Sequence, residues 1–135
     1  MSVELVNPPG IPQPVGYAQV GVATGSRTVY VSGQVARTAE GSPVAPGDLA
    51  GQVAQAYTNV LAALAGVGAT YDDVAKVTVY VVDLSPDSLG PFIDGAMRVS
   101  AAHGIDPTKP MTMIGVASLA EADLLVEIEV VAVLP

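Results

Sequence analysis

Glu127 and Glu129 stand two residues apart in the run LLVEIEVVAVL, residues 124–134. In an extended strand this spacing sends both carboxylates to one face, where either can act as a general acid or base or sit in a structural ion pair with Lys76 or an arginine. Ser32-Gly33-Gln34 places a hydroxyl, a glycine that permits close approach and an amide at the end of another alternating run. Such a trio can shape a pocket for an oxygen-bearing ligand, or resolve a bend in a sheet. Tyr17, Tyr30 and Tyr80 offer phenols or aromatic contacts, although tyrosine serves packing more often than catalysis. His103 is the only histidine and falls at a helix end, where it caps or stays at the surface, with catalysis as the alternative reading.

Composition removes several chemistries. The 135 residues include no cysteine, so thiolate nucleophiles, disulfide scaffolds and zinc–thiolate sites are excluded. A net charge of -8 with five Lys and Arg argues against a nucleic-acid partner and against an acidic membrane surface. Phosphate loops, dinucleotide fingerprints, calcium loops and nucleophile elbows are absent, because the glycines lack the neighbours those motifs need. The expectation is one domain over residues 1–135, cytoplasmic, with no membrane span.

The candidate residues need elements to hold them. Residues 124–134 alternate with one wholly apolar face (Val126, Ile128, Val130, Ala132, Leu134) and one that begins with the two glutamates and turns apolar. That mixture predicts a central strand. Residues 17–23 and 28–35 alternate as well, with Gly25-Ser26 as a hairpin turn between them or Arg27 closing a longer one, and Val3–Val6 makes a short edge strand before the proline-rich residues 7–14. Asp48 caps a helix to about Leu64 whose apolar stripe is Val53, Tyr57, Val60, Leu61 and Leu64, ended by Gly66 and Gly68. Residues 74–83 form the clearest strand, with Ala75, Val77, Val79 and Val81 on one face and Val74, Lys76, Thr78, Tyr80 and Val82 on the other. Ser85-Pro86-Asp87 starts a second helix that Gly90-Pro91 interrupts, with Phe92, Ile93, Ala96, Met97 and Val99 as its buried side. A short strand follows at 111–117. Two striped helices covering one face of such a sheet give a two-layer α+β domain, mixed and mostly antiparallel. The other face carries Tyr, Gln, Thr and Ser rather than charge, which points to burial by self-association.

Five segments occur together in one order: Gly16-Tyr17-Ala18-Gln19, Val31-Ser32-Gly33-Gln34-Val35, Asn59-Val60, the run from Asp73 through Lys76 and Tyr80 to Leu84, and Val126-Glu127-Ile128-Glu129 followed by Ala132-Val133. With them the chain resembles, along nearly its whole length, the Rid (reactive intermediate deaminase) family, also called YjgF-like or L-PSP endoribonuclease-like. The resemblance implies a chorismate-mutase-like fold, a homotrimer whose sheets form a central barrel with helices outside, and ligand clefts between subunits. It implies hydrolysis of an enamine or imine to a carbonyl compound and ammonia, without cofactor or metal. Glu127 is then the residue that positions or activates water, and Tyr17, Ser32 and Gly33 line the cleft.

One expected residue is missing. The family's substrate-carboxylate arginine stands where this chain reads Pro110-Met111-Thr112, so Thr112 takes its place. A threonine gives one hydrogen bond in place of a bidentate, charge-assisted clamp, which costs carboxylate binding a few kcal/mol, roughly a hundredfold or more. The substrate is therefore expected to differ from 2-aminoacrylate. Arg37 and Arg98 are the cations to check as replacements, and residues 84–110 are a few longer than in typical deaminases of the family. The alternative is a non-enzymatic trimer that binds a small metabolite or regulates. Cleavage of RNA is the weakest reading, since there is neither a histidine pair nor a basic groove.

Overall fold

The computed structural model describes residues 2–135. Its elements are β1 (Val3–Val6), β2 (Val20–Ala23), β3 (Arg27–Gln34), α1 (Leu49–Ala65), β4 (Val74–Val82), α2 (Leu89–His103), β5 (Met111–Val116) and β6 (Val126–Leu134). The main sheet has the order β3-β6-β4-β5, antiparallel except for the parallel β4–β5 pair, so the chain's last strand is central. A βαβ crossover requires a helix to return the chain to the same end of the sheet, and α2 does this between β4 and β5.

Alternation fixes the core. Val126, Ile128, Val130, Ala132 and Leu134 of β6 are buried beside Val77, Val79 and Val81 of β4. From α1 the residues Val53, Ala56, Tyr57, Val60 and Leu64, one stripe at helical spacing, close over them. Each fully buried valine or leucine here contributes about 1.5–3 kcal/mol relative to exposure. The second helix lies against the first because Gly95 has no side chain: a Cβ there would stand 2.5 Å from the Ala50 carbonyl oxygen and 2.7 Å from Val53 Cβ. Asp48 caps α1 by accepting from Gly51 N–H, and Gly104, in the left-handed region at φ 65°, ends α2.

Five expectations change. The Gly25-Ser26 turn is not a hairpin, because β2 pairs with β1 and β3 with β6; Ser26 N–H donates to the Leu134 carbonyl instead, and turn residues specify a reversal but not the partner. The strand expected over 17–23 is limited to Val20–Ala23. Val74 faces the core, not the opposite side, because the β4–β6 register slips between Val74 and Lys76 and this bulge reverses the alternation. The second helix starts at Leu89, after a 3-10 turn over Pro86–Ser88. Pro91 sits in its first turn, where an amide hydrogen is not needed, so Gly90-Pro91 does not interrupt it. In the same helix Ile93 and Met97 are 57% and 52% exposed, so of the expected side only Phe92, Ala96 and Val99 are buried.

One buried polar side chain organises the loop before β6. Gln52 of α1 is fully buried; its oxygen accepts from Leu125 N–H at 2.9 Å, and its amide donates to the carbonyls of Asp123 at 3.0 Å and Ala45 at 3.3 Å. Gln52→Ala leaves those backbone groups without partners. We expect it to lower unfolding stability by about 2–4 kcal/mol, measured by urea denaturation.

Candidate active site

The face of β6 opposite the core presents Glu127, Glu129, Val131 and Val133. Thr28, Tyr30 and Ser32 of β3, Lys76, Thr78 and Tyr80 of β4, and Thr112 and Ile114 of β5 share that face. Among the described residues nothing covers it, and Tyr30 is 79% exposed. Two bulges shape its chemistry, the one at Ala75 and another in β3.

The second bulge is at Ser32-Gly33. Pairing runs from Val31 opposite Val130 to Gln34 opposite Ile128, so two residues of β3 face the single Glu129 of β6. The offset swings Gly33 under the Glu127 side chain. A Cβ built on Gly33 would overlap the Glu127 carboxyl and lie 2.6 Å from its Cγ, so this position admits only glycine while Glu127 holds its place. Ser32 is exposed, and its carbonyl accepts from Gln34 Nε2 at 3.1 Å. Sequence thus brings Glu127, Ser32 and Gly33 together in one corner of the face.

The second glutamate has a different role. Tyr80, directly opposite Glu127, donates its hydroxyl across the strand pair to Glu129 Oε1 at 2.7 Å. That bond holds the Tyr80 phenol above its ordinary range. Lys76 does not pair with either glutamate as the sequence suggested. Its partner across β6 is Val131, and its ammonium donates instead to Thr112 Oγ1 at 2.7 Å on the neighbouring strand. Lys76, Tyr30, Thr78, Glu129 and Val131 line a shallow cleft of about 250 Å³.

Thr112 therefore lies on the same face as Glu127 but two strands away. Tyr17 lies apart from both. It precedes the Ala18–Pro110 bridge and lines a groove of about 800 Å³ with Val15, Ile93, Met97 and Met113 on the helix side. Glu127 is not among the residues lining that groove.

Neither candidate arginine reaches the glutamates. Arg37 grips Asp123 with both guanidinium nitrogens, at 2.8 and 2.6 Å, and Glu121 at 2.7 Å; Arg98 pairs with Asp94 along α2. The guanidinium in turn holds the Asp123 carboxyl below its ordinary range. Sequence reasoning missed the work of Asn59, whose amide donates to the carbonyls of Val35 and Arg37 at 3.0 and 2.9 Å and fixes the exit of β3. The signal was present, since Asn59-Val60 was among the family segments and an amide in an apolar helical stripe needs partners. His103 is exposed in the last turn of α2. Among the described residues no three His, Asp or Glu side chains gather as a metal site, and no helix is long and apolar enough to cross a membrane.

Residues 11–134 match the endoribonuclease L-PSP family. The chain belongs to that family. It is 29% identical over 130 residues to the 2-iminobutanoate/2-iminopropanoate deaminase of Dermatophagoides farinae, covering 96% of this chain and 95% of that one. It is 35% identical over 107 residues to the RutC family protein YjgH of Escherichia coli K12, 79% and 76% of the two chains. The crystal structure of YyfB from Yersinia pestis, a Rid family protein of unknown function, superposes with a TM-score of 0.87 at 34% identity, covering 99% of this chain and 100% of that one. The family's α+β fold is the one described above.

Two measurements check this geometry. Gly33→Ala must push the Glu127 side chain aside, and because a flexible side chain yields, the protein stays folded with a stability change within about 1 kcal/mol; carbon NMR of labelled glutamate should show the Glu127 carboxyl resonance displaced. Tyr80 should titrate above about 10 by NMR of labelled tyrosine, and Glu129→Gln should bring it back. Because its folded value is raised, the Tyr80–Glu129 bond favours the folded state below about pH 10 and is lost as pH rises through the folded value.

Proposed function

We propose that this protein is a hydrolase of small imines or enamines that releases ammonia. The observation that carries the reading is the Glu127 carboxylate held over the Gly33 backbone on an open sheet face. A carboxylate beside a backbone that no side chain shields can hold a water against a bound C=N carbon. The deaminase activity named for the mite relative supports the reaction class.

The chemistry needs only this chain and water. An enamine first tautomerises to the imine, and protonation of nitrogen makes its carbon electrophilic. Glu127 takes a proton from water as the oxygen bonds to that carbon, giving a carbinolamine. Glu127 returns that proton to the nitrogen, the C–N bond breaks as ammonia leaves with its electron pair, and the oxygen's electron pair forms C=O while the hydroxyl proton passes to the Glu127 carboxylate and on to solvent. Backbone groups at Ser32-Gly33 and near Thr112 orient the substrate. A threonine in place of the family arginine makes the substrate one other than 2-aminoacrylate.

The reading includes a homotrimer. The uncovered face bears Tyr30, Ile114, Val131 and Val133 together with the two glutamates, and in a trimer such faces would line a central barrel. Clefts between subunits would then bring the Tyr17 groove of one copy towards the reactive face of another, and Tyr17 would contact substrate. Net charge -8 leaves nucleic acid outside this proposal.

The test is ammonia release from freshly generated 2-aminoacrylate and from a panel of imines with and without a carboxylate. We expect turnover on part of the panel, and a loss of about a hundredfold or more in kcat for Glu127→Gln. Full activity in Glu127→Gln, or an inert wild type across the panel, would defeat the proposal.

A further inference from the structure

Among the described residues the face that carries Glu127 has one cation, and the way it is held points to a ligand. Arg37 is committed to Asp123 and Glu121, and Arg98 to Asp94. Lys109 is buried, its ammonium donating to the Asp72 carbonyl at 3.2 Å and lying over the Tyr71 ring. Arg27 opens β3 in the period of Val29 and Val31, which face the helices. Lys76 is the remaining one of the five.

Its setting is unusual for a lysine on an acidic chain. Glu127 and Glu129 share its face, yet among the described residues no carboxylate lies within 4 Å of its ammonium. Its hydrogen bond to a side chain goes to the neutral Thr112 hydroxyl at 2.7 Å. An ammonium has three donors, so this bond orients the group and leaves two for an anion. Lys76 lines the 250 Å³ cleft, enough for a carboxylate and a few carbons, together with Glu129, which is occupied by Tyr80. The repulsion of Glu129 keeps an anion to the Lys76 side.

We infer that Lys76, oriented by Thr112, is the carboxylate-binding residue of this protein. The inference rests on the proposed reaction at Glu127.

The test uses the full-length protein with 4-oxopentanoate, whose ketone lies three bonds from its carboxyl carbon, and its neutral amide, together with their imines as substrates. Binding of the two ketones is followed by NMR titration and turnover by ammonia release. We expect wild type to prefer the acid over the amide by about thirtyfold in both assays, Lys76→Met to abolish that preference, and Lys76→Arg to retain most of it. An acid-to-amide ratio unmoved by Lys76→Met, with the protein folded, overturns the inference. Lys76-dependent binding with no turnover of any imine supports it and defeats the proposed reaction instead. Turnover that depends on Glu127 but not on Lys76 does the reverse.

Discussion

Strand β6 is hydrogen-bonded along both edges, to β3 and to β4, and its side chains must therefore alternate between two environments with no freedom to choose. Val126, Ile128 and Val130 on one side seal the core under α1, so Glu127 and Glu129 are carried to the other side as a geometric consequence. A slip of one residue would bury both carboxylates beneath Val60 and Leu64, at a cost no hydrophobic gain could offset. The core thus enforces the position of the acidic groups. Their placement is as firm as the packing that opposes them.

Precision at the corner of the face comes from polar groups rather than from packing. The β3–β6 ladder stops at Gln34 opposite Ile128, just past the bulge that places Gly33 under Glu127. Beyond it the two segments are tied by other means. Asn59 holds the carbonyls of Val35 and Arg37, Gln52 holds Asp123 and Leu125, and the Arg37 guanidinium clasps the Asp123 carboxylate between them. Each tie uses α1 or a residue four positions from Gly33 or Glu127. A single helix therefore supplies both the apolar lid of the core and the amides that set the strand ends.

Much of this was legible in the sequence, and the failures have particular causes. Simple alternation disclosed β5 and β6 and most of β4, and the central place of β6 followed from its two unlike faces. It misplaced Val74 because a bulge leaves no mark in the hydrophobic pattern. Helical spacing gave the α2 stripe but could not tell Phe92, which packs on Tyr57, from Ile93 and Met97, which line a groove. The Glu127–Gly33 pair was reachable from residue types and the family segments. The partner of Lys76 was not, because cross-strand register depends on the Val74–Lys76 slip and on a parallel neighbour, and neither is a local property.

The proposed reaction requires Glu127 and Gly33 to be the place where a C=N carbon meets water. A crystal structure of the protein with a stable imine analogue, an oxime, tests this most directly. The oxime carbon is expected within one water's reach of the Glu127 carboxylate and alongside the Gly33 backbone. An oxime bound elsewhere on the molecule, with Glu127 contacting neither it nor a shared water, would contradict it.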